Sequence, residues 1–209
     1  SEGQADLDAA TEKKLEAKTL GDLGEVIMLC EGALQKGLDE GGTAFAKQLL
    51  GSTLLQRGVL LTRPIFEQKP PAPQWPQLRT LALADLQKAV DAQPDLGEAH
   101  ILIAKLQALP GGDRDEAVAA VAKAIEAYAD DKKKMSESLA LRAGLQKDPE
   151  KQMADLNEAI KVDPTNDDAL RLRGALRVQA GEHEAGLADL MKVLELNEDD
   201  VGAHRAAAE

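Results

Sequence analysis

Small residues recur along this chain about every 34 positions, and no other feature limits its fold so sharply. Ala140, Gly174 and Ala208 stand 34 residues apart. Ala104 precedes Ala140 by 36 residues, Gly51 precedes Ala104 by 53, and Lys14 precedes Gly51 by 37. A unit of about 34 residues is therefore repeated, with insertions in the first half. A second ladder runs seven residues behind the first through Gly21, Gly58, Gly111 and Gly181, with Lys147 in the fourth unit. Glycine there suits a sharp turn that ends one helix before the next begins. A third ladder is Ala33, Ala89, Ala124 and Ala159, replaced by Val193 in the last full unit. Small side chains at fixed places let two helices approach closely. Pro94 and Pro164 follow this ladder by five residues, and each stops the second helix of a pair.

Composition names the element that is repeated. Hydrophobic residues make up 44% of the chain but aromatics only 2%, so the apolar content is mostly Ala and Leu. The other abundant residues, Glu, Lys, Gln and Arg, are also strong helix formers. A sheet-based core of this size would call for more aromatic and β-branched residues. The expected class is all-α. Helix pairs are predicted near 5–18 and 22–37, 43–62 and 76–92, 97–109 and 113–128, 133–146 and 149–161, and 167–179 and 182–196. Asp113-Arg114-Asp115-Glu116 reads as a capping box. Asp148-Pro149 reads as an N-cap followed by proline at the first helical position. The stretch 63–75, RPIFEQKPPAPQW, carries four prolines and reads as extended or polyproline II. It is either a tolerated surface insertion or a binding loop. Its Trp75 is either a packing anchor or a partner contact.

On these residues the sequence resembles the tetratricopeptide-repeat family. Residues 167–200 carry the frame as Leu170, Arg173-Gly174, Gly181, Leu190 and Val193. Residues 133–166 carry it as Leu139-Ala140, Leu156, Ala159 and Pro164, and residues 97–132 as Ile103-Ala104, Gly111, Ala117 and Ala124. The chain departs from the family at its usual Trp and Tyr positions, and Leu38 and Glu198 stand where Pro is common. The resemblance implies a right-handed α-solenoid of stacked helix-turn-helix repeats. One array, 1–209, would hold pairs at 1–40, 41–96 with the insertion at 63–75, 97–132, 133–166 and 167–200, and a partial sixth repeat at 201–209.

One such pair cannot bury its own apolar face, so neighbours stack and the stack curves. The resulting inner wall, lined by first helices, suits an extended peptide or a helix. Carried over from the family, the candidate groove residues are Ile101, Lys105 and Leu109 in the third unit. They are Lys134, Glu137 and Leu141 in the fourth, and Arg171, Ala175 and Val178 in the fifth, with Arg205 beyond. Lys105, Arg171 and Arg205 would form a basic stripe that attracts a carboxylate-bearing partner, or would be ordinary solvated charges paired with nearby Asp and Glu.

The functions expected to be absent follow from residue types. A formal net charge of −12 opposes a phosphate backbone, so no nucleic-acid partner is expected. No apolar run approaches the ~20 residues that span a bilayer, so no membrane insertion is expected. His100, His183 and His204 lie in different units without zinc spacing. No phosphate-binding glycine motif occurs, and no carboxylate pair is marked for acid–base work. Neither a metal, a cofactor nor a catalytic residue is expected, and each His reads as a surface or groove residue. Asp163-Thr165-Asp167 alternates like a calcium loop but lacks its Gly and closing Glu, so it reads as an inter-repeat turn. The single Cys30 lies in the apolar run Val26-Ile27-Met28-Leu29 and reads as a buried thiol. The chain opens on Ser1, as a processed chain or a fragment would, and is expected to be soluble, either cytoplasmic or exported with its signal segment removed. The function expected is that of a non-enzymatic scaffold holding a protein or peptide. The alternative is a regulatory or assembly domain of a longer, enzymatic protein, which the partial sixth repeat favours.

Overall fold

The computed structural model describes residues 1–69, 71, 73–197, 199 and 201. The chain divides into two compact units, Ser1–Leu109 and Pro110–Glu209. The first unit holds α1 (Gln4–Glu16), α2 (Leu20–Lys36), α3 (Glu40–Phe66), α4 (Trp75–Ala92) and α5 (Gly97–Gln107). The second holds α6 (Arg114–Ala127), α7 (Lys132–Leu145), α8 (Pro149–Val162), α9 (Asp167–Gln179) and α10 (His183–Leu196). The described residues form no strand. No helix among them is long and apolar enough to cross a membrane.

Within each unit the helices pack on their neighbours in sequence. In the first unit α1 lies on α2 and α3, α2 on α3, and α3 on α4 and α5. In the second α7 lies on α6, α8 and α9, and α9 also on α8 and α10. This nearest-neighbour pattern is what stacked helix pairs require. The third ladder supplies the contact points: Ala33, Ala89, Ala124, Ala159 and Val193 are all completely buried. Leu54, Leu86, Leu106, Leu156, Leu170 and Leu190 fill the spaces between them. Cys30 is also fully buried, in a cluster with Ala10, Val26 and Leu54.

Side-chain caps fix the helix starts. Asp113 accepts from the N–H groups of Asp115 and Glu116 at 2.8 and 3.1 Å. Asp148 accepts from Glu150 N–H at 2.9 Å. Asn166 caps α9 and also donates to Ser136 Oγ, which donates in turn to the Ala159 carbonyl, both at 2.8 Å. One buried network thus joins α7 to the turn between α8 and α9. A reciprocal capping box, unforeseen from the sequence, opens α2. There Thr19 accepts from Asp22 N–H, and the Asp22 carboxylate accepts from Thr19 N–H at 2.9 Å. Those bonds, chiefly the backbone N–H of Thr19 and then that of Lys18, hold the Asp22 carboxyl below its ordinary range.

Several expectations need correction. Residues 63–66 are helical rather than extended, because α3 continues through Pro64 to Phe66. An interior proline costs about 3 kcal/mol. Leu61 and Ile65, 6% and 5% exposed, flank it in the core with Leu86 and Ala82. Burying each is worth about 1.5–3 kcal/mol, enough to carry the last turn past the proline. Trp75 opens α4 and packs half-buried against the same cluster. Gly111 and Gly181 occupy turns with φ of 77° and 84°, as the ladder requires, and Gly37 joins them at 92°. Gly21 and Gly58 are not turn residues: both lie inside helices. A Cβ on Gly58 would stand 2.8 Å from Leu86 Cδ2, so this glycine serves a helix crossing. His100 is neither a surface nor a groove residue. It is 8% exposed and its Nε2 lies 2.9 Å from the Pro94 carbonyl.

Candidate interaction surfaces

Three helix pairs share a buried charge clamp. Arg57 on α3 meets Asp85 on α4 through two parallel bonds of 2.7 and 2.6 Å. Arg142 on α7 meets Asp155 on α8 at 2.8 and 2.6 Å. Arg173 on α9 meets Asp189 on α10 at 2.8 and 2.7 Å. The three carboxylates are only 6–7% exposed. Donation to the carboxylate raises the pKa of Arg57 and of Arg142. A bidentate fork fixes both the distance and the rotation of two helices. The signal lay in the sequence: Ala84-Asp85-Leu86, Ala154-Asp155-Leu156 and Ala188-Asp189-Leu190 are the same triplet, each facing an Arg followed by Gly or Ala. The leucine of each triplet is fully buried. At the last pair the small residue matters most, since a Cβ on Gly174 would lie 2.8 Å from Leu190 Cγ and 3.0 Å from the Gly186 carbonyl.

The residues expected to bind a partner take up varied settings. In the first unit Lys105 is exposed on α5, while Ile101 is half-buried and Leu109 packs against the core of α3 and α4. In the second, Lys134 and Glu137 are exposed on α7 and Leu141 is half-buried. Lys134 Nζ stands 5.3 Å from the Tyr128 ring centre and 3.5 Å from Asp131. On α9, Ala175 is exposed, Val178 packs half-buried with Leu170 and Leu190, and Arg171 pairs with Asp168 three residues earlier. α7 and α9 lie side by side, so these positions stand on adjacent helices. Arg205 and His204 lie outside the described residues.

A groove of about 630 Å³ lies elsewhere in the second unit, between α6 and α8. Its walls are Val118, Ala119 and Ala122 on one side and Lys151 and Ala154 on the other. The end of α7 forms the floor through Arg142 and Leu145. Arg114 closes that end by donating to the carbonyls of Gly144 and Leu145. None of the residues named from the family frame as Lys134, Glu137 or Leu141 lines it. Among the described residues no group of three or more His, Cys, Asp or Glu side chains could hold a metal.

No protein-family profile matches the chain, and no curated protein matches it. Solved structures do. YrrB is 14% identical and superposes with a TM-score of 0.57 over 98% of this chain and 91% of its own. MamA is 18% identical with a TM-score of 0.53, over 94% of this chain and 92% of its own. The piece of MamA from residue 41 onward, from Desulfovibrio magneticus RS-1, is 14% identical with a TM-score of 0.56 over 96% and 98%. Likeness at such identities speaks for the arrangement of helices, and it agrees with the ladder of small residues. The chain has the tetratricopeptide-repeat fold, an all-α TPR-like helical solenoid.

Proposed function

We propose that this chain is a non-enzymatic scaffold that holds a peptide or protein segment against the exposed positions of its first helices. The observation that carries this reading is the fold itself: paired helices whose cores are spent on stacking and whose outer side chains face solvent. YrrB, which shares that fold, is described as a TPR protein with an unusual peptide-binding site. On α7 and α9 the exposed or half-exposed Lys134, Glu137, Arg171 and Ala175 offer mixed polarity on neighbouring helices. That mixture suits a segment with both apolar and carboxylate groups. The net charge of −12 disfavours nucleic acid as the partner.

The test is fluorescence anisotropy with carboxylate-bearing peptides. Arg171→Glu together with Arg205→Glu should weaken binding while helicity and melting temperature stay unchanged. Affinity that survives both substitutions would remove this face from the reading.

A further inference from the structure

We propose that the groove between α6 and α8 is a second docking site, and that its occupant is an amphipathic, carboxylate-bearing segment of a partner protein. This site goes beyond the face proposed above, since it is walled by second helices and shares none of that face's residues. Its volume of about 630 Å³ lies within the range of built ligand sites. Its walls are short and largely apolar. Ala119 and Ala154 are exposed on opposite sides, and Val118 and Ala122 are half-buried beside Ala119. Side chains this small let the backbone of an incoming segment come close to both helices.

The charges lining the groove decide what kind of segment fits. Arg142 is held by Asp155, and Arg114 is occupied by the carbonyls that end α7. Asp148 is engaged in capping α8. Two cations remain. Lys147 and Lys151 are exposed, four residues apart on either side of the α8 N-cap, and neither makes an ion pair or side-chain hydrogen bond within the described residues. Asp115 is the one lining carboxylate without such a partner there, and it stands on the α6 wall. The lining as a whole carries four cations and three anions, a local positive excess in a chain whose net charge is −12. An apolar stripe flanked by carboxylates would set its stripe on the alanines and its acids on Lys147 and Lys151. Partly desolvated by the walls, such pairs add specificity and speed association.

Peptides selected from a random displayed library on the full chain would test this. The pool should be enriched in Asp and Glu flanking small or aliphatic residues. Anisotropy should then show affinity falling about tenfold or more in Lys147→Glu/Lys151→Glu, a decade corresponding to about 1.4 kcal/mol. Ala154→Trp, which fills the groove without adding charge, should give a similar loss, and Arg171→Glu should leave these peptides bound. All four positions are exposed or half-exposed, and circular dichroism should report unchanged helicity. If Lys147→Glu/Lys151→Glu perturbs the fold, Ala154→Trp alone decides the matter. A pool whose binding ignores both groove variants would overturn the proposal. Loss confined to the Arg171 and Arg205 variants would overturn it too, while upholding the first-helix face. A labelled single-stranded oligonucleotide that outcompetes the peptides at the same lysines would overturn the choice of a protein partner.

Discussion

Asp189→Ala offers the sharpest energetic test of the clamp. Asp189 accepts three guanidinium bonds, from Arg173 Nε and Nη2 and from Arg177 Nη1, at 2.8, 2.7 and 2.8 Å. It is 6% exposed. Removing it leaves Arg173, whose side chain is only 15% exposed, with Asn157 as its remaining side-chain partner among the described residues. Breaking a buried pair from one side costs about 3–5 kcal/mol. Arg177 is 24% exposed and keeps Glu182 at 3.9 Å, so part of the stranded charge can turn to water. The lower end, about 3 kcal/mol, is expected, a large share of the ~5–15 kcal/mol that holds a domain folded. Urea unfolding followed by circular dichroism measures it, with amide exchange in α9 and α10 locating the loss. Replacing Asp189 and Arg173 together with leucine should recover part of the stability, because the buried pair goes and only Arg177, which keeps Glu182, loses its carboxylate. The exposed pair Lys161–Glu158, at 3.0 Å, is the control and should be worth under ~1 kcal/mol. A loss below ~1 kcal/mol for Asp189→Ala would refute the clamp as a structural device.

Further outcomes follow from packing and protonation. Gly174→Ala should destabilise by about 1–3 kcal/mol in chemical denaturation, because the new methyl meets Leu190 and the Gly186 backbone at once. Burial pushes the Cys30 thiol up to about 11 from an ordinary 9.0. Raised in the fold, this group contributes stability that is complete below pH 9 and fades as pH climbs through about 11, so melting temperature should fall across that window in wild type and not in Cys30→Ala. The Asp22 carboxyl is depressed instead, so its contribution is present above its unfolded value and vanishes as pH falls through the folded one; Asp22→Asn should flatten that acid limb.

Much of the fold could be read from residue order. Helix α9 spans the predicted 167–179, and α6 departs from 113–128 by one residue at each end. Both are bounded by local chemistry, an acidic or amide cap in front and a turn residue behind. The miss at 63–66 has the opposite character. Pro64 is a local signal against helix, and it was overruled by the tertiary burial of Leu61 and Ile65. Gly58 falls in the period of the turn glycines, yet its neighbour is Leu86, 28 residues away across the proline-rich stretch. The clamp is hidden for the same reason. Its Ala-Asp-Leu triplets repeat plainly, but the Arg partner lies 28, 13 or 16 residues off. The groove was the least legible feature. Ala119 and Ala154 look like interior helix residues on composition, and only the spacing of α6 and α8 leaves them uncovered.

Amide hydrogen exchange over the whole chain tests the paired-helix architecture most directly. The slowest amides should lie within α3 and α4, α7 and α8, and α9 and α10, around Asp85, Asp155 and Asp189, with rapid exchange at 108–113 between α5 and α6. Protection spread evenly through the chain, or absent at the three aspartates, would contradict a stack of helix pairs locked one by one.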